Sequence, residues 1–85
     1  MNQLPRKLEE ACIKHGFKAF KLPERARYIP GKKYWNGYWE KWYEVMSAEY
    51  NGKSIKEVTV RWENGAVTKH CTSLNPDRDY ELRYK

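Results

Sequence analysis

Residues 32–72 read KKYWNGYWEKWYEVMSAEYNGKSIKEVTVRWENGAVTKHCT, and three Asn-Gly pairs divide the run: Asn36-Gly37, Asn51-Gly52 and Asn64-Gly65. Each pair separates stretches rich in aromatic and β-branched residues. Asn-Gly is the favoured centre of a two-residue type I′ hairpin, because both central residues there adopt positive φ. Three in succession predict four consecutive antiparallel strands, near 32–35, 38–50, 53–63 and 66–72. The third alternates, with Val58, Val60 and Trp62 on one side and Glu57, Thr59, Arg61 and Glu63 on the other. That is the pattern of a strand with one buried face. Asn75-Pro76-Asp77 predicts a turn, and a last short strand follows in which Tyr80, Leu82 and Tyr84 alternate with Asp79, Glu81 and Arg83.

Upstream, the pattern changes period. Pro5 suits a first helical turn, and Leu8, Ala11, Cys12 and His15 share one face at helical spacing. Gly16 is placed to end the helix. So narrow a stripe cannot hold a free helix of this length in water, so it must dock on the rest of the chain. Phe17–Leu22 reads as extended. Pro23–Gly31 contains two prolines and a glycine and reads as a loop carrying Arg25 and Arg27. The expectation is one domain over 1–85: a helix over 1–16, an extended segment and basic loop over 17–31, and a five-stranded β-meander over 32–84.

A resemblance enters here. The long strand Trp42–Tyr50, the hairpin, E-V-T-V-R-W over 57–62, the tight Asn-Gly turn, and L-N-P-D before Y-E-L at 80–82 resemble the last four strands of SH3-like and Tudor-like barrels. The likeness covers about half the chain, rests on layout, and lapses at the N-terminal side. It implies a mainly-β (α+β) fold whose meander closes into an SH3-like small barrel. Such barrels bind peptides, methylated side chains or nucleic acids, so the fold alone leaves function open.

Composition narrows the classes. Mean hydropathy is -1.04 and 33% of residues are charged, yet four Trp, seven Tyr and two Phe supply the large apolar groups that disordered chains lack. No apolar run approaches the ~20 residues that cross a bilayer, so no membrane role is expected. Two cysteines, Cys12 and Cys71, are too few for a disulfide framework and fit a reducing cytoplasm, as small core residues. Cys12-x-x-His15 with His70-Cys71 makes a poor zinc set, because adjacent residues on a strand diverge. Gly52-Lys53-Ser54 lacks the glycine that a phosphate-binding loop carries five positions earlier, since Ser47 stands there. No nucleophile elbow or Ser/His/acid order appears. The expected protein is not an enzyme and takes no metal or cofactor.

Charge and rings point to binding. Residues 1–33 hold nine Lys/Arg against three acids, whereas 34–85 hold eight of each sign, so the whole net charge of +6 sits in the first two-fifths. A one-sided cation excess favours a polyanionic partner. With a two-residue turn at Asn36-Gly37, Trp35 would pair with Tyr38, and Tyr34 with Trp39. One face would carry Lys33, Trp35, Tyr38, Glu40 and Trp42, the other Lys32, Tyr34, Trp39, Lys41 and Tyr43. The second face joins rings to cations without an acid, which suits base stacking beside phosphate. The expected site is therefore Arg25, Arg27, Lys32, Lys33, Tyr34, Trp39 and Lys41, with nucleic acid (DNA or RNA) or an acidic protein surface as partner. The competing structural account has the N-terminal helix or 17–22 covering this face, both ring pairs then being core.

Overall fold

The computed structural model describes residues 4–23, 26–71 and 78–84. One helix, α1 (Arg6–His15), precedes six strands: β1 (Phe17–Lys21), β2 (Lys33–Asn36), β3 (Lys41–Asn51), β4 (Ser54–Trp62), β5 (Val67–His70) and β6 (Tyr80–Tyr84). The mainly-β class holds. The helix begins after Pro5 and ends at Gly16, whose φ of 73° lets its N–H reach the Cys12 carbonyl. Leu8 and Cys12 form its buried stripe. No helix among the described residues is long and apolar enough to cross a membrane.

All six strands are antiparallel in one sheet, ordered β1-β6-β2-β3-β4-β5. The sheet ends at β1 and β5 and does not close into a barrel, and it has one strand more than the five expected. Phe17–Lys21 accounts for the difference. An extended segment must place its backbone donors and acceptors somewhere, and here they pair with β6, Phe17 opposite Tyr84 and Lys21 opposite Tyr80. β6 lies between β1 and β2, so its two edges are both used.

The turns differ from the type I′ expectation at every Asn-Gly. At the first, Asn36 pairs with Lys41, so Gly37–Glu40 form a four-residue loop. Asn36 is fully buried, and its Oδ1 accepts from the Tyr38 and Trp39 amides at 2.8 and 2.7 Å. The positive φ falls on Glu40 (56°), the last loop residue, whose amide donates to the Asn36 carbonyl, and not on the Asn-Gly pair. At the second, Asn51 pairs with Ser54 and Gly52-Lys53 form the loop, Gly52 alone taking positive φ (63°). At the third, Glu63–Gly65 make a three-residue loop closed by Gly65 at φ 90°, with Asn64 Oδ1 accepting from the Ala66 amide. β3 and β4 carry compensating irregularities beside Met46 and Lys56, which keep Val45, Ala48, Val58 and Val60 on one face.

The sheet has a core on each face. Leu8, Cys12, Phe17, Trp35 and Leu82 cluster under the helix, with Trp42 packed on them. On the opposite face Leu22, Tyr28, Tyr34, Tyr43, Val45, Val58 and Val60 cluster. Tyr28 comes from the loop expected to be merely basic. Its amide donates to the Tyr50 hydroxyl (2.7 Å), and the Ile29 amide donates to that of Tyr34 (2.9 Å). Beneath them, buried Asp79 accepts from the Tyr28 and Tyr43 hydroxyls at 2.8 and 2.6 Å. Cys12 is buried as expected, whereas Cys71 is exposed and belongs to neither core; no disulfide joins them. The Asn75-Pro76-Asp77 turn lies outside the described residues.

Candidate functional site

The four-residue loop resets the first hairpin. Tyr34 pairs with Tyr43, and Trp35 with Trp42, in place of the expected Tyr34–Trp39 and Trp35–Tyr38 pairs. The shift is even, so the strand residues keep their faces while Tyr38 and Trp39 move out into the loop. Tyr34 is 1% exposed, stacked near Tyr43 at 5.8 Å, and leaves the candidate site for the core. Trp39 stays accessible, 42% exposed.

Trp39 does not stand alone. Its ring meets Trp62 edge-on at 5.4 Å and 87°, and lies 5.9 Å from the His70 ring. Trp62 and His70 are 5.8 Å apart, so the three rings contact pairwise. Each arrives from a different element: Trp39 from the first hairpin loop, Trp62 from the end of β4, His70 from the end of β5. Trp62 is the last ring of the Val58/Val60/Trp62 face and packs on Tyr43 at 5.2 Å, which anchors the group to the core. Tyr38, on the loop and exposed, extends the rings beyond Trp39 at 5.7 Å, with the Arg78 guanidinium 5.6 Å from its centre.

These rings border a shallow pocket of about 260 Å³, completed by Lys41, Asn64, Ala66 and Thr68. Among the described residues Lys41 brings the one full charge to the lining, and no carboxylate belongs to it. Glu40 and Glu63, near in sequence, turn instead to a separate cleft against α1 with Lys7 and Lys14. Within the pocket the Trp62 indole N–H donates to Thr68 Oγ1 at 2.6 Å, and Thr68 Oγ1 lies 2.6 Å from His70 Nε2. Thr68 can then donate its proton to His70, which makes Nε2 an acceptor and puts the neutral ring's proton on Nδ1. Burial lowers the His70 pKa below its ordinary value, which favours that neutral form.

Of the expected site residues, the structure brings only Trp39 and Lys41 together. Arg27 lies at the opposite end of β3, its guanidinium 4.5 Å from the Tyr50 ring centre and donating to the Gly52 carbonyl at 2.6 Å. Lys32 pairs with Glu81 at 3.3 Å. Lys33 sits 5.3 Å over the Tyr84 ring. Arg25 lies outside the described residues. Trp62, Thr68 and His70 were missed because their approach to Trp39 depends on loop length and on β5 pairing with β4. The one available signal was parity: Trp62 shares a strand face with core valines yet ends beside a turn. Among the described residues no three His, Cys, Asp or Glu side chains gather as a metal site. No family model, curated protein or solved structure matches this chain.

Proposed function

We propose that this chain is a small non-enzymatic binding protein that takes unpaired bases of a nucleic-acid strand on the Tyr38–Trp39–Trp62–His70 rings. The observation that carries the reading is the three-ring pocket whose only charged lining residue, among the described residues, is a lysine. Stacking on rings tolerates any base, because every base has a π-face, and each stacked base contributes about 1–3 kcal/mol. Lys41 supplies a phosphate contact at the pocket's edge, and Arg78 places a second cation beside Tyr38. The overall charge of +6 adds a long-range attraction that weakens with salt. A single strand suits the surface better than a duplex, whose bases are already stacked on one another.

The experiment is fluorescence anisotropy of labelled single-stranded DNA, RNA and duplex DNA, with tryptophan quenching recorded in parallel. Single strands bind in the micromolar range at low salt, quench tryptophan, and bind more tightly than duplex. Trp39→Ala removes one stacking ring and weakens binding by about 1–3 kcal/mol, roughly five- to hundredfold. If no oligonucleotide binds at low salt, the reading fails. The rings would then serve better as a hot spot for an acidic protein surface.

A further inference from the structure

We propose that the outer edge of β1 pairs with the same edge of a second copy of this chain, antiparallel about Ala19, so that two sheets join into one. The surface is separate from the ring pocket and does not depend on the reading given to it. Among the described residues β1 pairs only with β6, so its other edge presents unpaired backbone donors and acceptors. The strand reads Phe17-Lys18-Ala19-Phe20-Lys21. Turned end for end about Ala19, it sets Lys18 opposite the copy's Phe20 and Lys21 opposite the copy's Phe17, with alanine facing alanine at the centre. No lysine meets a lysine. Sliding the copy so that Lys18 faces Lys18 or Lys21 brings like charges together across the strands, which is destabilising. Other slips leave an end residue without a partner. Cross-strand neighbours share a sheet face, so each half-exposed Phe20 ring, with the Arg83 guanidinium 4.7 Å from its centre, gains the copy's Lys18 beside it.

The flank of this edge fits the same occupant. The cleft between β1 and α1, about 430 Å³, takes an apolar lining from Ile13, Phe17, Ala19 and Phe20. Ile13 is 72% exposed on the helix. Among the described residues the charges of the lining are Lys18 and Glu9, one of each sign, so the cleft selects no charged guest and does not repel its own copy. Antiparallel pairing about Ala19 is a two-fold rotation perpendicular to the sheet. It keeps both helices on one face and turns the two apolar linings toward each other, a self-complementary contact of the kind that closes dimers. The opposing term is long-range, since each copy carries +6. Association therefore strengthens as salt rises, the reverse of oligonucleotide binding.

The test is sedimentation of the unsubstituted chain from micromolar to millimolar concentration at low and high salt, with hydrogen exchange recorded at both ends of the range. The expected result is a mass rising toward twice that of one chain, more readily at high salt, with exchange over 17–21 slowed. Ile13→Glu and Phe20→Glu each weaken association about tenfold or more, because a carboxylate enters the apolar contact; circular dichroism checks the fold. Facing Cα atoms in an antiparallel pair lie about 4.5–5.5 Å apart, within reach of a disulfide. In a Cys12→Ala, Cys71→Ser background, Ala19→Cys therefore forms a linked dimer under mild oxidation. Lys18→Cys, which stands two residues out of register with its own copy, does not. Trp39→Ala leaves association unchanged while weakening oligonucleotide binding, which separates this surface from the ring pocket. The proposal is overturned by a monomer at every concentration and salt, by a dimer indifferent to Ile13→Glu, or by equal cross-linking at positions 18 and 19. It is also overturned if an extended peptide alternating valine and glutamate slows exchange over 17–21 while the chain stays monomeric.

Discussion

Two residues, Gly37 and Asp79, connect the aromatic loop to the rest of the fold. A Cβ at Gly37 would overlap the Arg78 backbone carbonyl oxygen, and backbone cannot yield as a flexible side chain can. Gly37→Ala is expected to cost about 1–3 kcal/mol in urea unfolding, the range for forced overpacking. A loss under a few tenths of a kcal/mol would show that the approach is looser than described. Asp79 is fully buried, and its Oδ1 lies 3.4 Å from the Gly37 amide it accepts from. Burial pushes its carboxyl above the ordinary aspartate value, and bonds from Tyr43, Tyr28 and Gly37 with the Arg78 charge offset only part of that. The same burial, and the nearby carboxylate, drive the Tyr28 and Tyr43 hydroxyls far above their ordinary pKa, so both remain donors.

The sign of the resulting pH dependence follows by linkage. A raised folded pKa means the Asp79 contribution is complete below the unfolded value near 3.8 and is lost as pH rises through the folded one. Asp79→Asn keeps an acceptor for the tyrosines and removes the charge. Its stability relative to the unsubstituted protein should therefore improve as pH climbs from about 4 toward neutrality. Parallel curves would contradict this. Glu81 acts in the opposite sense: burial would raise it, but Arg83 and Lys32 bonded to its carboxylate hold it below the ordinary glutamate range. Its contribution is present above that range and is lost as pH falls through the lowered value.

Among the elements, the first hairpin carries the most function in the fewest residues. The Asn36 side chain, buried under the loop, bonds the two amides that precede and include the exposed tryptophan. Asn36→Ala frees both and should destabilise the fold by about 1–3 kcal/mol, the penalty for unpaired amides. It should also weaken oligonucleotide binding by displacing Trp39; unchanged binding with lost stability would detach the loop geometry from the site. The helix is held by packing, because ten residues cannot sustain themselves alone. Leu8→Ala, at a fully buried position, is expected to cost about 2–5 kcal/mol in the same unfolding assay.

The elements also mark how far the sequence could be read. Periodicity located α1, β4 and β6, because helix and strand periods are written locally in the residues. Asn-Gly located three turns but not their loops: the first has four residues and takes its positive φ at Glu40, the second keeps two but starts at Gly52, and the third has three ending at Gly65. The pairing of β1 with β6 joins residues about sixty positions apart, and no local pattern encodes it. Tyr28 was illegible for the same reason: prolines and arginines around it suggest a loop, and only the Asp79 carboxylate explains its burial. The site was half legible. Trp39 and Lys41 followed from rings and cations sharing a hairpin, while Trp62 and His70 needed the register of β4 and β5.

At the scale of the whole molecule, one open sheet with a core on both faces places the Trp39, Trp62 and His70 rings together at the first hairpin loop and the ends of β4 and β5. Of the cations expected to form a phosphate-binding patch, Lys32 is engaged by Glu81 and Arg27 by the Gly52 carbonyl, and elsewhere Arg83 shares Glu81, Arg61 pairs with Glu44 and Lys69 with Glu57. Surface pairs of this kind contribute little to stability, but each reduces the charge available to a strand of phosphates. The salt response should therefore be shallow for so basic a protein, reflecting a few phosphate contacts and not all seventeen Lys/Arg. With two to four contacts, the slope of log affinity against log salt would be about −1.5 to −3 for single strands.

The most direct test of the ring site is one anisotropy salt titration of a labelled single strand against the unsubstituted protein and Trp39→Ala. The expected result is micromolar binding at low salt, a slope of about −1.5 to −3, and a constant loss of roughly five- to hundredfold in the variant at every salt concentration, because stacking is not screened. Equal affinity of the two proteins, or no binding by the unsubstituted protein at low salt, would contradict it.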